Sequence, residues 1–311
     1  MALPKVSTPT YELTIPSSGE KVTYRPFLVK EEKRLLMAME SKDTKAMTKA
    51  MEDIISSCTD GDVVTNDLAP FDLEYFFLQL RGRSIGEIIE LKSPRPPNFT
   101  NCCKEAEEED VCNLSINIDD IKVDTSKIKP SDIEITKDIG VKMKFPQMDM
   151  VQKYNIEGDT IKSEDVFKLI TDCVDYIWDG DDIFKAKDHS KKELNDFIDS
   201  LSSGQFEKIR DFFESMPRLS HDVDWKCPRC GKSKTLVLTG VDSFFWLGLS
   251  HDSLANHYQT NFAMIQHHQW SLTDLDNMLP FERAIYVMLL QNWIKEENER
   301  IRTENAKNKG R

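Results

Sequence analysis

Apolar and polar positions first alternate with a period of two. Tyr11, Leu13 and Ile15 are separated by polar residues, Pro16-Ser17-Ser18-Gly19 reverses the chain, and Val22 and Tyr24 resume the alternation. That spacing predicts a β-hairpin. The period then lengthens. Leu35, Leu36 and Met39 share one helical face, and Ala46, Met47, Ala50, Met51, Ile54 and Ile55 share another. Residues 73–80, with Tyr75, Phe76 and Phe77, are apolar nearly all round, which predicts a buried helix. A strand is expected over 85–91.

The pattern changes at Ser93-Pro94-Arg95-Pro96-Pro97, which cannot continue a regular element because proline lacks a donor and fixes φ. Beyond it lie Cys102, Cys103 and Cys112, then a strand over 114–118. Ile133 and Ile135 with Val141, Met143 and Phe145 predict a second hairpin around Asp138-Ile139-Gly140. Helices are expected near 163–177, 191–201 and 205–216, with Pro217 stopping the last. Residues 225–238 read as another cysteine-bearing, strand-rich piece. From 249 onward the chain reads as helical. Ser271 with Asp274 forms a capping box, and Pro280 opens a final helix. That helix is expected to bury Ala284, Ile285, Met288 and Leu289, then fray into the charged stretch 296–311.

The fold class is therefore α+β, mostly helical, with an N-terminal β-hairpin and small strand-rich zinc-knuckle segments. Five segments are expected. Residues 1–92 carry the hairpin plus helices, and 93–146 a cysteine-containing strand-rich segment. A helical segment, 147–217, follows. Residues 218–247 hold a cysteine knuckle and an aromatic join, and 248–311 form a helical domain with a charged tail. A weak repeat links two of these: Cys103…Cys112-Asn113-Leu114-Ser115-Ile116 resembles Cys227…Cys230-Gly231…Thr235-Leu236-Val237-Leu238. Each pairs two cysteines with a following apolar strand, so two such units can face each other.

Charge narrows the partners. In the 311-residue chain, 41 Lys and Arg against 54 Asp and Glu give a net charge of −13, a field that repels phosphate backbones. Nucleic acid is not expected as the main partner. Met1-Ala2-Leu3-Pro4-Lys5 lacks the apolar core of a signal peptide, and no apolar run reaches transmembrane length, so no membrane is expected and the compartment is cytoplasm. Seven cysteines is an odd number, and with no export signal it favours reduced thiols or metal ligands over a disulfide framework.

The sharpest local signal is Trp225-Lys226-Cys227-Pro228-Arg229-Cys230-Gly231-Lys232. A C-P-x-C-G knuckle aims two thiolates at one ion, and glycine supplies the tight turn after the second. A redox C-x-x-C would open a helix, whereas strand residues follow here. A structural zinc needs four ligands, and Cys103 with Cys112 is the preferred second pair. Cys102 is an alternative to Cys103, and His221 or His251 an alternative to that pair. Cys58 and Cys173 fall on apolar helical faces and read as core thiols. Asp179-Gly180-Asp181-Asp182 lacks EF-hand spacing and reads as an acidic turn. His267-His268 reads as packing or partner contact, since a catalytic histidine needs an orienting carboxylate and a nucleophile in a pocket and proximity in sequence shows neither. No P-loop, G-x-S-x-G, H-E-x-x-H or Rossmann glycine pattern occurs, so no catalytic residue is assigned. In Val241-Asp242-Ser243-Phe244-Phe245-Trp246-Leu247 three large rings follow one another and cannot all face one core. Phe244, Phe245 and Trp246, with Trp270, are the expected partner contacts, beside the plainer reading of a buried linker.

Leu3-Pro4-Lys5…Thr8-Pro9-Thr10-Tyr11-Glu12-Leu13…Pro16-Ser17-Ser18-Gly19 and the stretch from Tyr24-Arg25-Pro26-Phe27 to Lys33 carry a resemblance. So do Phe71-Asp72-Leu73-Glu74-Tyr75, Arg81, Ser84-Ile85-Gly86-Glu87, Met216-Pro217-Arg218-Leu219 and the knuckle. Over residues 1 to about 245 the chain resembles the baseplate-hub assembly proteins of T-even-like contractile-tailed phages. Leu249-Ser250-His251, Trp270-Ser271-Leu272 and Met278-Leu279-Pro280-Phe281-Glu282-Arg283 resemble a second hub-assembly protein of the same phages. The two are usually separate products, so a join is expected near Phe244 to Trp246. The resemblance implies an assembly factor, or chaperone, that binds hub subunits or the tape-measure protein in the host cytoplasm without catalysis. A structural component of the mature virion baseplate is the alternative, and a zinc-ribbon nucleic-acid-binding factor is the alternative of another class. Homo-oligomer formation is left open.

Overall fold

The computed structural model describes residues 9–94, 111–126, 128–154, 163–227 and 230–309. The alternating N-terminal residues form strands β1 (Tyr11–Thr14) and β2 (Lys21–Tyr24), paired antiparallel with Leu13 opposite Val22. Helices α1 (Val29–Ser41), α2 (Thr44–Cys58) and α3 (Pro70–Ser84) follow. Asp43 caps α2 by accepting from the Lys45 amide, and Pro70 opens α3 at a position where no intrahelical donor is needed. The apolar face of each helix meets the hairpin in one cluster. Leu13, Tyr24, Phe27, Leu35, Met51, Ile55, Phe76 and Phe77 are among its members.

Strands β3 (Ile88–Pro94) and β4 (Val111–Asn117) form an antiparallel hairpin, as do β9 (Ser220–Lys226) and β10 (Ser233–Thr239). Between them in sequence lies a separate unit. Its sheet runs β5 (Asp132–Glu134), β6 (Ile139–Met143), β7 (Val174–Asp179), β8 (Asp182–Lys185), all antiparallel. Helices α4 (Met148–Tyr154), α5 (Ser163–Asp172), α6 (Lys191–Asp199) and α7 (Ser203–Glu214) complete it. Its own cluster includes Val141, Met143, Ile170, Val174, Ile198, Ile209 and Phe212. Gly140 lies under the Trp178 ring, where an added Cβ would overlap the ring.

This grouping departs from the expected segments. The hairpin at 132–143 belongs with β7 and β8 rather than with the first cysteines. The helix expected over 163–177 stops at Asp172, because Val174 to Asp179 pair with β6 instead. The two cysteine-bearing hairpins, far apart in sequence, share a third cluster: Ile89, Ile116, Ile118, Leu219, Val223 and Leu238, joined by Leu78, Phe244 and Leu247.

The C-terminal part is helical: α8 (Gly240–Leu249), α9 (Leu254–His268), α10 (Leu272–Asp276) and α11 (Pro280–Lys309). Ser271 caps α10 by accepting from the Asp274 amide at 3.0 Å. Helix α8 lies against α3. Phe77 stacks on Phe245 with ring centres 5.5 Å apart, and an added Cβ at Gly248 would meet the Phe77 ring at 2.7 Å. That close approach needs glycine. Gly248→Ala is expected to cost about 1–3 kcal/mol by overpacking. Urea unfolding checks this, and Gly248→Ala with Phe77→Leu recovers part of the loss.

Candidate functional site at the join and on the exposed C-terminal helices

Adjacent phenylalanines on α8 enter different clusters: Phe244 joins the hairpin core and Phe245 the α1–α3 core, and both are fully buried. The expected aromatic join is therefore a wedge between two cores, and this placement corrects Phe244 and Phe245 from partner contacts to interior residues. Trp246, the next residue along the helix, is 48% exposed. At the base of α8, Arg81 of α3 donates through Nε to the Gly248 carbonyl at 3.0 Å, and its Nη1 donates to the Gly86 carbonyl. Arg81 is almost wholly buried, and burial pushes its guanidinium down to about 10. A cation beside the last carbonyls of α8 complements the negative end of that helix.

Beyond α8 the chain returns to α1. Glu32, fully buried on α1, receives a hydrogen bond from His251 Nε2 at 2.9 Å and from Arg283 Nη2 at 3.1 Å, and His257 Nδ1 lies 3.7 Å away. Arg283 also donates to Asp252 at 3.2 Å, to Asn261 Oδ1 at 3.3 Å, and lies 3.0 Å from His257 Nδ1. One glutamate from α1 thus anchors groups before α9, on α9 and on α11. Burial by itself pushes the Glu32 carboxyl up; hydrogen bonds from His251 and His257, with the Arg283 charge, outweigh it and hold it at about 2. His251 was an alternative metal ligand in sequence. It is committed to Glu32.

The face turned away from this network is apolar. The expected burial of Ala284, Ile285, Met288 and Leu289 is not found: all four are exposed. Helix α11 instead turns Arg283 inward, and Val287, Leu290 and Ile294 are half-buried along the same row. Phe281, Ile285, Met288, Leu289 and Trp293 form an exposed stripe, and α9 exposes Tyr258, Phe262 and Ile265. More than half of the large exposed apolar side chains among the described residues lie between Tyr258 and Ile301. Trp270 is half-buried, with its ring 5.3 Å from that of Tyr286. His267 and His268 end α9, and Asp179-Gly180-Asp181-Asp182 is an exposed turn between β7 and β8. No described helix is long and apolar enough to cross a membrane.

The cysteines separate into two groups. Cys58 and Cys173 are buried in the first and second clusters, and burial pushes both thiols up, Cys173 to about 12. Cys227 and Cys230 occupy the β9–β10 turn, Cys112 stands in β4 opposite Ser93, and Cys102 and Cys103 lie outside the described residues. Among the described residues, no three His, Cys, Asp or Glu side chains converge as a metal site.

The family model described as T4 bacteriophage base plate protein matches residues 8–246. The chain belongs to this family. A second model, the Baseplate hub assembly protein Gp51 C-terminal domain, matches residues 249–295 of this baseplate protein. The Baseplate hub assembly protein gp26 of Enterobacteria phage T4 is 23% identical over 238 residues, spanning 76% of this chain and 98% of that relative. No solved structure matches the chain. The boundary between the two matches falls at the end of α8. Glu32 lies in the first matched stretch, whereas His251, Asp252, His257, Asn261 and Arg283 lie in the second. The buried network therefore crosses from one to the other.

Removing one member of a buried ion network leaves the others unpaired, at a cost of about 3–5 kcal/mol. Glu32→Gln is expected to lose that much, measured by chemical denaturation. Replacing Glu32 and Arg283 together by methionine should cost less than either change alone. Because the Glu32 carboxyl is depressed in the folded protein, its contribution is complete above the ordinary value of 4.5 and is lost as pH falls toward about 2. Acid titration of stability should show this loss in the native protein and not in Glu32→Gln.

Proposed function

We propose that this baseplate-family protein is an assembly factor for the phage tail hub, which binds another polypeptide through α9 and α11 and catalyses no reaction. The observation that carries this reading is the first half of α11. A helix that is apolar on nearly every side is normally enclosed by its own protein. Here one row is half-buried while Phe281, Ile285, Met288, Leu289 and Trp293 face outward, so the second covering surface has to come from a partner. Aromatic and methionine side chains adapt to a helical client and supply most of the energy at such interfaces. Trp270 and Tyr286 extend the same region.

The relative's name is that of a hub assembly protein, which supports action during building rather than in the finished particle. Hub subunits and the tape-measure protein are the expected clients. A long client helix exposes apolar surface until its tube forms, and an apolar helical face shields it. The net charge of −13 favours a polypeptide over nucleic acid.

Ile285→Asp with Leu289→Asp changes two exposed positions, so folding stability should move by only about 0.5 kcal/mol per site. Co-purification of hub subunits or the tape-measure protein from infected cells should be lost, since charges at an interface centre cost about 2 kcal/mol or more each. Unchanged co-purification would remove α11 as the binding face. Mass spectrometry of purified virions should find the protein absent; stoichiometric presence would make it a component of the baseplate.

A further inference from the structure

The two cysteine-bearing hairpins grow from one root. β3 leaves the shared core near Ile89 and β4 returns to it at Ile116; β9 leaves at Val223 and β10 returns at Leu238. An antiparallel bridge between Val123 and Leu219 and contact between β4 and β9 hold the hairpins side by side. All four strands are seven residues long, so each ladder spans about 20 Å from its root to its turn. Both ladders therefore run outward from the same root, side by side along β4 and β9. One carries Cys227 and Cys230. The other ends at Ser93 opposite Cys112 and Pro94 opposite Val111.

The β9–β10 turn has the form a metal knuckle requires. The Cys227 amide donates to the Lys232 carbonyl at 2.9 Å, and the Gly231 amide donates to the Cys227 carbonyl at 2.9 Å. Gly231, directly after the second cysteine, sits at φ +69°, where a side chain would be strained. Cys227 is 4% exposed although it belongs to none of the three apolar clusters and its neighbours Lys226, Gly231, Lys232 and Ser233 are exposed. Val223 is the last residue of β9 in the apolar core, and a two-stranded ribbon is marginal by itself.

We propose that Cys227 and Cys230 hold a structural zinc ion together with thiolates of the β3–β4 hairpin, so that one metal clamps the ends of both ribbons. Tetrahedral zinc takes four thiolates at about 2.3 Å. Cys112 is the third ligand by its position in β4. The fourth, Cys103, lies outside the described residues and is assigned on sequence. Neither histidine competes. His221 stands six residues back along β9, about 20 Å from Cys227, and His251 bonds Glu32. The site does not depend on the proposed assembly role, and either stands if the other fails.

The full chain, purified without chelator, should contain one zinc per molecule by elemental analysis. Cobalt exchanged into the site should give sulfur-to-cobalt charge-transfer absorption and the visible bands of a tetrahedral ion. Cys227→Ser, Cys230→Ser and Cys112→Ser should each reduce the metal to background, whereas Cys58→Ser, a change in a separate core, should keep it. Zinc near zero in the unaltered protein, or a Cys227–Cys230 disulfide in its place, would overturn the proposal whether or not the variants fold. Full zinc content in Cys112→Ser would overturn the clamp between hairpins.

Discussion

Helix α3 has no free side. Leu73, Phe76, Phe77 and Leu80 enter the core made with the N-terminal hairpin, while Leu78 enters the core of the two cysteine hairpins. Phe71 meets Phe145, which in turn stacks on Phe212 of the middle unit. Such enclosure is tolerable only if the polar groups of the helix are satisfied within it. Asp72 accepts from the Ala69 and Ser17 amides, Ser84 accepts from the Phe27 amide, and Arg81 donates to two carbonyls. The three cores are held in register because each is packed against the same rod.

The C-terminal helices attach differently. Apolar contact through Phe245 and Leu249 brings the end of α8 to the first core, and Leu254 at the start of α9 packs against it; the buried charges of Glu32 and Arg283 then tie α11 to α1. A buried ion network is weak in net stabilisation and strong in geometry, since a shifted arrangement would leave Glu32 or Arg283 desolvated and unpaired. This suits a place where stretches matching two different families meet. The network orients α11 so that Arg283 faces inward and the neighbouring apolar stripe faces solvent. Specific attachment and exposure of a binding face follow from the same few side chains.

The middle unit is attached through edges. Met148 joins the first core and its amide donates to the Leu68 carbonyl at 3.1 Å, beside the Phe71–Phe145 contact. Within the unit Asp172 gathers Lys153, Tyr154 and Lys191, tying the ends of α4, α5 and α6 at one carboxylate. Burial pushes that carboxyl up, and these three hydrogen bonds bring it down to about 2.

Local pattern was enough to read β1–β2, α1 to α3, the β5–β6 hairpin and the capped start of α10, because period, turn residues and caps act over a few positions. It also placed Cys58 and Cys173 in apolar cores and tied the chain to the hub proteins. Burial of Phe244 and Phe245 in two separate cores, exposure of Ile285, Met288 and Leu289, and the Glu32–Arg283 network depend on which surfaces meet between stretches far apart in sequence. Hydrophobicity says that a side chain seeks cover, not whether its own chain supplies it. An isolated Glu in the charged stretch Lys30-Glu31-Glu32-Lys33 looks like a solvated face until a distant arginine arrives to pair with it.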